Sequence, residues 1–279
     1  MSQDIHLYVK QAIEGDRLAL EKVMISIQDR IYNLALRMLW NPSDAEDTTQ
    51  EILVKVITNL SKFRGESKFG TWVYRIACNH LINTNKRGLE HQGLSFEIFE
   101  QGIHEGFDTK QGIQVSEVDR NLLAEELKVS CTHAMLLCLE REQRIIYILS
   151  SMFGVKSNEG AEILDISPET YRKRLSRVRE KMRNFMEQNC GLANPDKMCR
   201  CSRRVEVAIE NNRINPEHLI FAKHPQAYQS LVEACKDEME ELDRVSAVLA
   251  SNPYYLAPEN VLQKIKNMIS SEKYRILEA

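Results

Sequence analysis

The sequence predicts an all-α protein: two helical domains joined by an acidic tether, with a further helical extension behind them. Three observations predict it. Apolar residues recur at the helical period over most of the chain. Glycine and proline are scarce, 11 and 7 among 279 residues, so that pattern is seldom interrupted. The segment from Ser157 to Tyr171 also reads as a helix, a three-residue turn and a second helix. At roughly 100–200 residues per domain, this length allows two or three modest domains. A composition of 43% hydrophobic and 28% charged residues excludes a fibre and global disorder. The boundaries read as 1–87 for the first domain, 88–117 for a flexible acidic linker, 118–188 for the second domain and 189–279 for the extension.

The first domain opens with Leu20, Val23, Ile27, Ile31, Leu34 and Met38 at helical spacing, and Ile52, Val56 and Leu60 continue it after Asn41-Pro42-Ser43. Pro42 cannot continue the first helix, and Ser43 or Asp44 is suited to cap the second. A further helix is expected from about Phe69 to Arg87, entered through the turn Arg64-Gly65-Glu66-Ser67. Between Gly88 and Glu117 the period fades, and five glycines alternate with Glu90, Glu97, Glu100, Glu105 and Asp108. Helical patterning resumes from Val118 to Met186, broken at Phe153-Gly154 and at Asp165-Ile166-Ser167. Weaker patterns follow at Val205–Glu210, Leu231–Leu249 and Val261–Met268.

In the helix-turn-helix, Ser167 is placed as N-cap and Pro168 at the first helical position. Tyr171, Leu175, Val178 and Met182 form one narrow apolar stripe, and Arg172, Lys173, Arg177 and Arg183 fall largely outside it. One face packs and the other meets DNA: Glu169, Thr170, Lys173 and Arg174 are placed to read base edges and Arg177 to hold the backbone, with Arg172 beside them. A basic run alone usually just faces water, and the turn chemistry is what favours DNA. Gly160 costs about 1 kcal/mol inside a helix, and Asp165 must take the left-handed turn position.

On the helix from Phe69, the residues Trp72, Arg75, Asn79, Asn83 and Lys86 share one side, and Val73, Ala77 and Leu81 face the core. An indole beside cations and amides suits single-stranded DNA, although a lone tryptophan is more often a core anchor. On the preceding helix, Asp44, Asp47, Glu51 and Thr58 share a face that would repel phosphate, so it meets a protein or, on spacing alone, water.

With these residues in hand, the chain resembles a sigma factor of the extracytoplasmic-function type over about Leu18–Arg87 and Met135–Met186. The matching runs include Asn41-Pro42-Ser43-Asp44-Ala45-Glu46-Asp47, Gln50-Glu51, Phe63-Arg64-Gly65-Glu66-Ser67 and Thr71-Trp72-Val73-Tyr74-Arg75-Ile76-Ala77. The resemblance implies that Asp44, Asp47, Gln50 and Glu51 dock on a coiled coil of core RNA polymerase. It implies that Arg64, Ser67, Trp72, Arg75, Asn79 and Lys86 open the minus-ten promoter element and hold a flipped base. The helix-turn-helix then reads the minus-thirty-five element, and the acidic linker follows a path through the polymerase usually taken by nucleic acid. An anti-sigma factor is a further partner that the resemblance allows. Two departures stand out: Tyr171 replaces a small aliphatic residue, and Gly160 replaces isoleucine. Minimal members stop near Met186, whereas this chain continues.

Seven cysteines without a secretion signal point to reduced thiols. Cys190, Cys199 and Cys201 flank a turn, with His218, His224 and Cys235 beyond. Zinc or another soft metal, redox sensing, and an inert structural turn all stand as readings, because paired Cys-x-x-Cys knuckles are missing. Initiation itself is expected to require no cofactor. A net charge of −3 gives no global nucleic-acid signature, so the basic charge is local. No stretch approaches the roughly 20 apolar residues of a membrane span, and the chain is expected in the cytoplasm. An enzyme is disfavoured because no carboxylate and histidine stand in an arrangement suited to general-base work. The rival reading is a polymerase-independent regulator with a sensing tail, which gives no reason for the Asp44–Glu51 or Trp72 faces.

Overall fold

The computed structural model describes residues 2–85, 90–91, 93–104, 115–222, 245, 248–249 and 251–270. The helices in chain order are α1 (Ser2–Ile13), α2 (Arg17–Leu39), α3 (Pro42–Asn59), α4 (Phe69–Asn83), α5 (Phe96–His104), α6 (Glu117–Leu137), α7 (Arg141–Tyr147), α8 (Ser157–Leu164), α9 (Pro168–Asn189), α10 (Val205–Glu210) and α11 (Glu259–Ser270). A π-helical turn follows α7 at Ile148–Met152, and 3-10 turns lie at Leu60–Lys62 and Cys201–Arg204. No strand occurs among the described residues, so the protein is all-α.

The chain forms two compact units, and the first gathers Met1–Lys86, Lys156–Tyr171 and Tyr254–Ala279. Asp16 starts α2 by accepting the backbone N–H groups of Leu18 and Ala19 at 2.8 and 3.1 Å. The cap of α3 is Asn41, not Ser43 or Asp44 as expected: its Oδ1 accepts the Asp44 N–H at 3.1 Å. Pro42 takes the first helical position, where its missing N–H costs nothing, and that places the cap at the residue before it. Leu20, Val23, Ile27, Ile31, Leu34, Met38, Ile52, Val56 and Leu60 are all buried, as their spacing predicts. Each contributes about 1.5–3 kcal/mol relative to exposure.

The C-terminal stretch returns to this unit. Asn33 on α2 donates from Nδ2 to the Tyr255 carbonyl at 2.6 Å and accepts the Tyr255 N–H at 3.0 Å. Asp29 accepts the Ala257 N–H at 2.8 Å, and Asn260 donates to Glu46 at 2.9 Å. Val261 and Ile265 bury the apolar stripe of α11, which packs on α2 and α3. Buried Arg37 donates to Asn33 Oδ1 at 2.8 Å and so fixes the amide that grips Tyr255. Burial pulls the Arg37 guanidinium down to about 10, against the favourable influence of the nearby tyrosines.

The second unit gathers Arg87–Val155 and Arg172–Pro253. Two stretches of the expected flexible linker are folded here. Glu90 is buried and accepts Arg141 Nε at 2.8 Å, while Arg144 Nη1 stands 3.1 Å from the same carboxylate. Arg144 also donates to the carbonyls of Leu136 and Leu139 at 2.8 and 3.0 Å, satisfying groups at the end of α6. Further along, Phe99 of α5 stacks on Phe185 with centroids 5.4 Å apart, and Phe96 meets the same ring tilted, at 4.9 Å. Residues 105–114 lie outside the described residues.

The extension is anchored on α6. The buried Glu126 carboxylate accepts the N–H groups of Ile220, Phe221 and Ala222 at 2.9, 2.8 and 2.6 Å. Leu123 packs with Val205, Ala208 and Ile214, which supplies the apolar part of the same contact.

Candidate nucleic-acid interface

The helix-turn-helix is built by local chemistry. Asp165 ends α8 in the left-handed conformation, with φ 53° and ψ 45°. Ser167 Oγ then accepts the Thr170 N–H at 3.1 Å and opens α9 as the expected cap. Tyr171, Leu175, Val178 and Met182 are buried along one side of α9. Glu169, Arg172, Lys173, Arg174 and Arg177 are exposed on the rest of its first turns, and Thr170 is half-buried beside the cap. Arg174 is held by Glu142 at 2.8 Å across the surface. Such an exposed pair contributes at most about 1 kcal/mol and opens readily.

The two departures from the family pattern are one feature. A Cβ added at Gly160 would stand 2.3–2.7 Å from ring atoms of Tyr171, so the tyrosine occupies the room that a side chain at 160 would fill. Gly160→Ala is therefore expected to destabilise by about 1–3 kcal/mol in chemical denaturation. Paired with Tyr171→Leu, the loss should be smaller than the sum of the two single losses. Strict additivity in that cycle would show that the residues do not share the space.

The face on α4 is partly an aromatic cluster. Trp72 is half-buried, with its ring centroid 5.5 Å from Phe63 and 5.9 Å from Phe69. The turn before it has Gly65 at φ +74°, which leaves Arg64 exposed and Ser67 half-buried. Asn79 is exposed, and Lys86 lies outside the described residues. The helix stops at Asn83, short of the expected Arg87. Arg75 is half-buried and donates to the Glu162 carbonyl of α8 at 2.8 Å, while Thr71 donates to Glu159 at 3.0 Å. Neither the two phenylalanines nor the seat of α8 was among the expected site features. The spacing Phe63, Phe69, Trp72 was the available signal for the first.

On α3, Asp47 and Glu51 are exposed and Asp44 and Gln50 half-buried. Glu51 lies 3.0 Å from His80 Nε2, and Lys55 Nζ lies 2.7 Å from His80 Nδ1. Burial and Lys55 push the His80 imidazole below its ordinary value, against the pull of Glu51. His80 thus sits between Lys55 and Glu51, and the Asp47 and Glu51 side chains lie exposed on the α3 surface.

Residues 24–88 match the sigma-70 region 2 family, and residues 130–182 match sigma-70 region 4. Over 191 residues, which are 66% of this chain and 97% of its relative, the sequence is 30% identical to the ECF RNA polymerase sigma factor SigW of Bacillus subtilis. The chain belongs to the ECF sigma factors. This sigma factor is likewise 30% identical over 183 residues to the ECF RNA polymerase sigma-E factor of Escherichia coli, covering 64% of the chain and 92% of the relative. To the RNA polymerase sigma-H factor of Pseudomonas aeruginosa it is 27% identical over 177 residues, 62% and 88% of the two chains. It directs RNA polymerase to promoters in transcription initiation. Sigma factors as a family bind core polymerase and promoter DNA, are not enzymes and need no cofactor.

The SigW match leaves about a third of this sigma factor without a counterpart, and the region 4 match ends at residue 182. Beyond it, Cys190, Cys199 and Cys201 are half-buried free thiols, and the structure adds Cys131 of α6 to them. Burial raises the Cys131 thiol well above its ordinary value, with the other three thiols adding to the shift, and pushes Cys201 up to about 12. As the side chains stand, no three His, Cys, Asp or Glu groups among the described residues are arranged to hold a metal ion. His224 and Cys235 lie outside the described residues. No described helix is long and apolar enough to cross a membrane.

Proposed function

We propose that this sigma factor docks on core polymerase through Asp44, Asp47, Gln50 and Glu51, with residues 1–87 as the polymerase and minus-ten module. Arg64, Ser67, Trp72, Arg75, Asn79 and Lys86 open and hold the minus-ten strand by stacking and cationic contact. Within the module 118–188, Glu169, Thr170, Arg172, Lys173 and Arg174 read the minus-thirty-five element, and Arg177 holds phosphate. Residues 88–117 tether the modules, residues 189–279 are regulatory, the protein acts in the cytoplasm, and an anti-sigma factor is a further partner that the family allows. A soft metal in the extension would be structural. The observation that carries this reading is the exposed basic edge of α9, set against a fully buried stripe on the same helix.

Purified chain with core polymerase is expected to initiate at a cognate promoter. In that assay Arg174→Ala should relax discrimination at one upstream base pair by about 1–3 kcal/mol. Equal loss on every sequence would reassign Arg174 to phosphate. Full duplex recognition by the chain alone, without any association with polymerase, would replace the reading with that of an independent regulator.

A further inference from the structure

We propose that Cys131, Cys190, Cys199 and Cys201 form a four-thiolate site for a soft divalent ion of the zinc class, which staples the start of the extension to α6. The four thiols come from three places in the sequence. Cys131 lies on α6, Cys190 directly follows α9, and Cys199 and Cys201 lead into the 3-10 turn Cys201–Arg204. The Gly191 N–H donates to the Cys199 carbonyl at 2.9 Å, which lays the chain at 190 beside the chain at 199. The N–H groups of Ala193 and Asn194 both return to the Cys190 carbonyl, at 3.2 and 2.9 Å, and tighten the reversal between them. Arg120 of α6 donates to the Ser202 carbonyl at 3.0 Å and pairs with Glu206, which presses the 3-10 turn onto the helix bearing Cys131.

The result is a cluster rather than a row. Cys131 lies within electrostatic reach of the other three thiols, Cys201 within reach of Cys190 and Cys199, and Cys199 within reach of Cys190. The 3-10 turn bearing Cys201 packs directly on α6, and the Gly191–Cys199 hydrogen bond closes the loop, so the four thiols belong to one neighbourhood rather than to a row along the chain. Thiols are weak hydrogen-bond donors, so nothing in packing alone rewards gathering four of them. A dication does, because it takes four thiolates at about 2.3 Å each. Such a centre carries two excess negative charges. Arg204 lies near Cys131, Cys199 and Cys201 and offsets part of that charge, while Lys128 near Cys201 is itself paired with Glu125. Binding requires the four side chains to turn inward about their Cα–Cβ bonds, since no three of them chelate as they stand. The spacing Cys190, Cys199, Cys201 lacks a paired knuckle because its fourth ligand sits on a distant helix. This site does not depend on how the protein reads promoters.

The test is elemental analysis of the full chain, purified anaerobically without chelator, followed by titration of the metal-free chain with cobalt(II). One zinc per chain is expected, together with the intense visible absorption of tetrahedral cobalt thiolate. Cys131→Ser should weaken cobalt binding by about tenfold or more, whereas Cys138→Ser should leave it unchanged. Should Cys131→Ser fail to fold, alkylation of the natural chain mapped by mass spectrometry replaces it: one equivalent of zinc should slow alkylation of these four cysteines and leave the rate at Cys138 unchanged. Three outcomes overturn the proposal. They are no binding of zinc or cobalt by the natural chain, an unaltered cobalt spectrum in folded Cys131→Ser, and a disulfide within the cluster in place of metal.

Discussion

Replacing Asp47 and Glu51 together by arginine is expected to weaken assembly with core polymerase by about 100-fold or more and to leave the fold intact. Like charges brought together across an interface cost several kcal/mol, and each 1.4 kcal/mol is about tenfold in affinity. The fold should not suffer, because both side chains are exposed. The contact of Glu51 with His80 at 3.0 Å is surface-exposed on the glutamate side, and its loss costs no more than about 1 kcal/mol. Fluorescence anisotropy against labelled core polymerase, at two salt concentrations, reads the affinity, and a thermal melt checks the fold. Unchanged affinity in a folded double variant would move the interface off α3.

The second large effect lies in the linker. Glu90→Ala should destabilise the unit containing α6 and α7 by about 3–5 kcal/mol, because it leaves Arg141 and Arg144 buried beside each other without their carboxylate. A loss below about 1 kcal/mol in chemical denaturation would show that water or neighbouring carbonyls already satisfy the two guanidinium groups. Burial works to raise the Glu90 carboxyl, but the hydrogen bond from Arg141 and the charges of Arg144 and Arg141 outweigh it and hold the carboxyl below its ordinary value. The sign follows: the stabilisation is complete above the ordinary carboxylate range and is lost as pH falls toward the folded value. Glu90→Gln should remove that part of the acid dependence.

What could be read without coordinates was whatever depends on near neighbours in sequence. The Ser167 cap, the left-handed Asp165 and the buried stripe of α9 rest on residues within a few turns of one another, and all were legible. The cap of α3 falls at Asn41, two residues before Ser43, since Asn41 and Ser43 are equally good caps until the helical position of Pro42 is known. Glu90 looked like one more charge in an acidic run, because Arg141 lies 51 residues away and Arg144 further still. Gly160 and Tyr171 looked like two separate departures, since only packing shows that the ring fills the missing side chain. The return of Tyr255 to Asn33 spans 222 residues and leaves no local trace. Cys131 was invisible for a similar reason, as a cysteine inside an amphipathic helix reads as ordinary core.

Arg75 and Thr71 have a wider consequence. In the free chain both already hold α8, through the Glu162 carbonyl and the Glu159 carboxylate. A guanidinium engaged there is not available to a nucleotide, so on the proposed role of Arg75 the promoter strand and α8 compete for one surface. On that role α8 is a latch, and opening the strand would require its release from Arg75 and Thr71.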